Sequence, residues 1–145
     1  FDVTVFGSAN LDLVVTVERH PLPGETLLGD SYAEFPGGKG LNQVVAAARA
    51  GASTSLHSAV GDDAAGDRLR SLVLDEKVDD AYLLTSAGQP TGRAAIVVSA
   101  SGENSIVVVP GANADIVAPG ALPACRVLLT QLEFPVLLFK QRLRW

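Results

Sequence analysis

Cysteine is nearly absent from this sequence. The single Cys125 among 145 residues excludes an internal disulfide. Such scarcity suits a reducing compartment, so a cytoplasmic protein is expected. Positive charge is also in deficit: 11 Lys and Arg stand against 16 Asp and Glu, a net charge of −5. That balance argues against general affinity for nucleic acid or for anionic membrane surfaces. There is no apolar run of bilayer-spanning length and no signal-peptide pattern. Residue 1 is Phe, not Met, so a trimmed start is expected. Two common phosphate loops are missing as well. A Walker A loop ending at Gly38-Lys39 needs Gly at position 33, which is Ala33, and Ser or Thr at position 40, which is Gly40. A dinucleotide fingerprint over Gly38-Lys39-Gly40 needs Gly at position 43, which is Gln43.

What is present suffices for about one domain. With 48% hydrophobic and 19% charged residues the chain can build a core. Its organising stretch is Gly37-Gly38-Lys39-Gly40-Leu41-Asn42-Gln43, between an expected strand over Thr26–Phe35 and an expected helix over Gly40–Ala50. The glycines permit a turn closed to other residues and let a ligand approach the main chain at a helix N-terminus. Asn42, one turn into that helix, both donates and accepts hydrogen bonds. This combination suits a polyhydroxylated small molecule. Taken alone, it also reads as a plain strand-to-helix turn.

Val3–Phe6 is an expected strand, ended by Gly7. Asn10 and Asp12 follow it, where open α/β sheets place ligand contacts. They also fit as caps of a turn. Leu13–Val17 resumes strand character and would form a hairpin with Thr26–Phe35. The helix after the glycine turn is rich in alanine and closed by Gly51. Ser53–Val60 is the next strand. Asp62 or Asp63 caps a helix over Ala64–Asp75, in which Leu69, Leu72 and Val73 recur at helical spacing. Ala81–Thr85 is a further strand, and Arg93–Ser99 with Asn104–Val109 a second hairpin. Asp115–Pro123 is read as a loop with a short helical piece. Val127–Leu132 is an apolar strand followed by Glu133, which reads as a ligand contact or as a helix N-terminal acid. His20 and Arg49 read as surface residues. Strands alternating with helices imply a parallel sheet covered on both faces. The hairpins at residues 11–35 and 93–109 break that alternation and would pair into a separate small sheet over the strand ends, as a lid.

Several motifs in this order resemble the N-terminal half of the ribokinase-like carbohydrate kinases. Gly7-Ser8-Ala9-Asn10-Leu11-Asp12 is similar to that family's first sugar-binding segment, and Pro23-Gly24-Glu25-Thr26 to the turn within its lid. Gly37–Gln43 resembles the family's N-terminal signature, with Gly51 and Gly61 at its later glycines. Thr91-Gly92, Gly102-Glu103-Asn104 and Gly111-Ala112-Asn113-Ala114 resemble the second lid hairpin and its exit, and Gln131-Leu132-Glu133 a strand end with a further sugar contact. The likeness covers residues 3–135. Val44 departs from it, standing where the signature has a small residue.

The resemblance implies a three-layer αβα parallel-sheet fold with a small β lid, incomplete within these 145 residues. It implies that Asn10, Asp12, Gly38, Lys39, Asn42 and Glu133 contact sugar hydroxyls, ribose first among them. It implies ATP as phosphate donor, with Mg and K, and a homodimer formed through the lid. The family's catalytic aspartate lies in a Gly-Ala-Gly-Asp motif, and no Gly-x-Gly-Asp occurs here. The catalytic base and the ATP, Mg and K sites are therefore expected on chain outside this sequence. Residues 136–145 do not resemble the family's continuation, and a truncation, a frame change or a partial chain is the expectation. The leading reading is the sugar-binding half of an ATP-dependent pentose kinase. A catalytically inactive sugar-binding or dimer-forming fragment, and a nucleoside or fructose-type kinase, are the alternatives.

Overall fold

This computed structural model describes residues 1–117 and 123–131. In chain order the elements are β1 (Val3–Phe6), β2 (Asn10–Val17), β3 (Ser31–Gly37), α1 (Lys39–Arg49), β4 (Thr54–Gly61) and α2 (Ala64–Asp75). Then come β5 (Leu83–Ser86), β6 (Gly92–Ser99), β7 (Asn104–Val109), a 3-10 helix over Gly111–Asp115, and β8 (Val127–Thr130).

The first sheet has the order β5-β4-β1-β8 and is parallel throughout. β1 lies between β4 and β8, with Val3 opposite both Thr54 and Val127. Side chains alternate across the sheet. Val5, Leu56 and Val60 face Leu41 and Val44 of α1 and Leu69 and Val73 of α2. Phe6 and Ala59 face the opposite way, against Ala112 and Ile116. Each such aliphatic side chain contributes about 1.5–3 kcal/mol on full burial. Both described α-helices thus cover one face, while Ala112 and Ile116 cover the other, so the sheet is covered on both faces as the sequence implied. Strand order explains why the two α-helices share a side. From β1 to β4 to β5 the chain steps toward one edge, and right-handed crossovers in one direction put their helices on one side.

The second sheet has the order β3-β2-β6-β7. β2 and β3 form one antiparallel hairpin, β6 and β7 another, and they join through a parallel β2–β6 pairing from Asn10↔Gly92 to Val17↔Ser99. A parallel sheet carrying helices, with a small sheet built from two inserted hairpins, is the α/β arrangement the sequence implied.

Several boundaries move. β2 begins at Asn10, not Leu13, because Asn10 and Asp12 pair with Gly37 and Phe35. The turn-capping reading of these two residues is therefore wrong. β3 starts at Ser31, not Thr26, and continues through Pro36 to Gly37. A proline fits there because β3 is an edge strand. β5 begins at Leu83, after a turn at Ala81-Tyr82. A 3-10 helix that the sequence reading did not include forms over Gly111–Asp115; most of the expected segment Asp115–Pro123 lies outside the described residues. Leu132, Glu133 and the tail 136–145 lie outside the described residues.

Both helix ends have identifiable chemistry. Gly51, with φ +91°, ends α1 in a Schellman motif. Its amide donates to the Ala48 carbonyl and that of Ala52 to the Ala47 carbonyl, at 2.9 and 3.1 Å. Asp63 caps α2 by accepting from the Gly66 amide at 2.8 Å. Arg49 is more than a solvated residue: its Nε donates to Glu76 Oε1 at 3.0 Å, tying the ends of the two helices.

Candidate functional site

Strand alternation puts Asn10 and Asp12 on the same face of β2. Register puts Ala94 beside Asp12 on β6, with Val108 beside Ala94 and Ile106 beside Ile96 on β7. The second sheet therefore presents two polar side chains at one end of an apolar wall. Opposite that end lies the start of α1. Together they border an open cavity of about 190 Å³, lined by Asn10, Asp12, Gly38, Lys39, Asn42, Ala94, Ile96, Ile106 and Val108.

Two glycines make this closeness possible. Gly38 has φ +90°, and a Cβ there would sit 2.8 Å from the Ser8 carbonyl oxygen and 2.9 Å from the Asn10 nitrogen. A Cβ on Gly37 would lie 2.0 Å from Asp12 Oδ2. The glycine turn is thus packed against the β1–β2 junction and the back of Asp12. The first turn of α1 is partly committed: the Leu41 amide donates to the Ser8 carbonyl at 3.0 Å and the Asn42 amide to Gly38 at 2.9 Å. Sequence reasoning offered such amides to a ligand; the Leu41 amide instead anchors the helix.

Five of the six residues expected at the site, Asn10, Asp12, Gly38, Lys39 and Asn42, border this one cavity. The sixth, Glu133, lies outside the described residues. Nearby, Gln131 Nε2 donates to Gln43 Oε1, joining the end of β8 to α1. Val44 is buried in the core and does not border the cavity.

Sequence reasoning assigned no site role to the apolar wall or to Asn113. The wall forms only when β2, β6 and β7 pair, so no single run of the sequence carried it. Asn113 is buried, and its side chain bonds both backbone groups of Ala9 and the side chain of Asn10. Asp63 also does more than cap α2. It accepts from the Thr91 amide and hydroxyl at 2.9 and 2.6 Å, just ahead of β6. Burial pushes the Asp63 carboxyl up, but the bonds from Thr91 and Gly66 outweigh it and hold it below the ordinary carboxylate value.

A larger hollow of about 470 Å³ lies between α1, β3 and α2, lined by Pro36, Leu41, Val45 and Leu72 among others. It is mostly apolar and shares Asn42 with the smaller cavity. The smaller one gathers more converging polar groups, which is what orients a polar ligand. Its donors and acceptors are an amide-bearing pair, a carboxylate and an ammonium around an apolar floor.

A model of the pfkB family carbohydrate kinases matches residues 1–127. Ribokinase from Bacillus subtilis is 43% identical over 140 residues, covering 92% of this chain and 47% of that protein. The structure of ribokinase from Giardia lamblia superposes with a TM-score of 0.87 at 32% identity, covering 95% of this chain and 45% of that one. Arabidopsis thaliana ribokinase complexed with ribose and ATP superposes at 0.78 and 31% identity, covering 92% and 46%. The chain spans about half the length of the curated relatives it matches.

Proposed function

Because the chain belongs to the pfkB family of carbohydrate kinases, we propose that its cavity is the sugar site of an ATP-dependent, ribokinase-like kinase that phosphorylates a pentose, ribose first. The observation that carries this reading is the convergence of Asn10, Asp12, Gly38, Lys39 and Asn42 on one small cavity. Carboxylates and amides pair with vicinal hydroxyls, and a buried site built on such bonds rejects analogues that lack them. The apolar wall suits the carbon face of a sugar. Asp12 accepts hydroxyl hydrogens, Lys39 donates to hydroxyl oxygens, and Asn42 does either.

The second sheet is read as a lid that closes over the sugar and excludes water from phosphoryl transfer. The exposed apolar residues of β7 support its use as the surface shared by two copies in a homodimer. Among the described residues no group of three or more His, Cys, Asp or Glu side chains gathers to hold a metal. Groups that hold ATP, Mg and K are read as lying on chain outside this sequence. The remainder of the sugar site, including Glu133, and the phosphate-transferring groups complete the reading. Cytoplasmic residence belongs to the same reading.

Titration calorimetry with D-ribose, D-fructose and adenosine tests the site and its class of guest. D-ribose binding is expected, with Asp12→Ala and Asn42→Ala each weakening it by about 1–3 kcal/mol. Unchanged affinity in both variants would remove the assignment, and preference for adenosine or fructose would move the chain to another acceptor class. An ADP-release assay with the same panel separates a kinase from a non-catalytic sugar binder.

A further inference from the structure

We propose that Asn113 is a positioning residue that turns Asn10 into a hydrogen-bond donor toward the cavity. The orientation follows from groups whose polarity is fixed. The Ala9 amide can only donate, and it meets Asn113 Oδ1 at 2.9 Å. The Ala9 and Pro110 carbonyls can only accept, and they meet Asn113 Nδ2 at 3.1 and 3.0 Å. The Asn113 amide therefore has one allowed orientation, which removes the usual ambiguity between amide oxygen and nitrogen. Its Nδ2, sharing two hydrogens among three acceptors, also donates to Asn10 Oδ1 at 2.8 Å, the shortest of the three. The Asn10 oxygen is thereby committed to Asn113, and its NH₂ is left for the cavity that Asn10 lines.

The surroundings enforce the same choice. Asn113 is 2% exposed, so water does not compete for its bonds. Gly92, opposite Asn10 in the β2–β6 register, leaves the space the pair occupies. A Cβ on Gly92 would lie 2.1 Å from Asn113 Nδ2 and 2.4 Å from Asn10 Oδ1. The hairpin exit thus reaches back to the β1–β2 junction and sets the polarity of one wall of the site. Asp12 offers acceptors and Asn10 offers donors, so the guest must place an oxygen lone pair at Asn10 and a hydroxyl hydrogen at Asp12. The identity of that guest as a sugar rests on the proposed function; the orientation of Asn10 does not.

Side-chain amide exchange, followed by nuclear magnetic resonance on the ligand-free chain, reads the orientation directly. The Asn113 NH₂ is expected to exchange at least about tenfold more slowly than that of Asn10, as a fully bonded buried amide should. Adding D-ribose should slow the Asn10 NH₂. Equal protection of both amides without ligand, or rapid exchange at Asn113, overturns the proposal. A binding cycle over Asn10→Ala, Asn113→Ala and the double variant tests the positioning role. Each single change should weaken D-ribose by about tenfold, and the double variant should be no worse than about threefold beyond either. Losses that multiply would show that Asn113 acts independently of Asn10 and sink the idea. Asn10→Asp keeps the bond from Asn113 but presents an acceptor to the cavity. It should lose affinity while its melting temperature stays near that of the parent. If Asn113→Ala does not fold, the exchange pattern of the parent chain and the Asn10→Asp affinity decide the matter. If the exchange pattern holds and D-ribose does not bind, the sugar reading fails and the orientation stands.

Discussion

β4 and β7 have opposite fates. β4 reads Thr-Ser-Leu-His-Ser-Ala-Val-Gly, half of it polar, and all eight positions are buried. β7 reads Asn-Ser-Ile-Val-Val-Val, and all six are exposed. Hydropathy alone would have exchanged them. Position in the sheet decides instead: β4 sits between β1 and β5 beneath both helices, whereas β7 is an edge strand. A small polar side chain such as Ser58, between Leu56 and Val60 on the helix-facing side, costs little volume where helices press close. The valines of β7 serve the cavity on one face and lie open on the other. The first sheet is a packed support, and the second borders the cavity on one face and is open on the other along β7.

Glycines offer the hardest way to break this comparison. A Cβ on Gly40, in the first turn of α1, would lie 2.5 Å from the carbonyl carbon of Gly7 and 2.8 Å from the Ser8 nitrogen. Both are backbone atoms and neither can rotate away. Gly40→Ala is expected to destabilise the chain by about 3 kcal/mol or more, through overpacking at the joint between α1 and β1. Gly102, in the β6–β7 turn, has φ +85° and nothing within 4 Å of its notional Cβ. Gly102→Ala should lose only about 1 kcal/mol, from backbone strain alone. Urea unfolding of the two variants gives the ratio, and equal losses would mean the second sheet is packed as tightly as the first.

Asp63 joins the two regions and comes next in size. Its carboxylate holds the Gly66 amide of α2 and both the amide and hydroxyl of Thr91, while Thr91 Oγ1 accepts from the Gly61 amide at 2.9 Å. Asp63→Ala removes three charge-assisted bonds, one of them the helix cap, for about 2–3 kcal/mol. The folded carboxyl titrates below its ordinary 3.8. Its contribution is therefore full above that pH and is lost as pH falls through the depressed value. Melting curves of parent and variant should draw together as the pH falls below 3.8.

Much of this was legible before the fold was seen. Apolar runs, helical spacing and turn residues found the eight strands and two α-helices described, and the glycine turn and the strand ends pointed to the polar residues that line the cavity. Less legible were features that need two distant segments at once. Asn10-Leu11-Asp12 is strand only because Phe35, Pro36 and Gly37 pair with it. Asn113 matters only because the 3-10 helix folds back onto Ala9. The apolar wall depends on the β2–β6–β7 register, which hydropathy does not carry. Both helices share one face because of strand order, and strand order is a property of the whole chain.

His57 tests the support by a smaller effect. It is buried on β4, with its ring centroid 4.8 Å from that of Phe6 and 5.4 Å from that of Tyr82. Burial pushes its imidazole below the ordinary value of 6.5. The unfolded chain takes up a proton there that the folded chain resists. Stability is therefore full above pH 6.5 and falls as the pH drops toward the folded value. His57→Gln should flatten the fall in melting temperature as the pH drops below 6.5, relative to the parent. An unchanged slope would show that the ring is not held neutral by the core.

The smallest expected effect lies on β7. Val107 is 67% exposed, on the face away from the cavity residues Ile106 and Val108. Val107→Lys removes little buried surface and should change unfolding free energy by less than about 0.5 kcal/mol at low protein concentration. The same change places a charge on an exposed apolar edge, which disfavours strand-edge pairing between copies. Sedimentation at rising concentration should therefore show weaker self-association than the parent, with no change in fold. A loss as large as that from a core valine, in dilute solution, would mean that β7 is covered as β4 is. The two strands would then differ in composition alone.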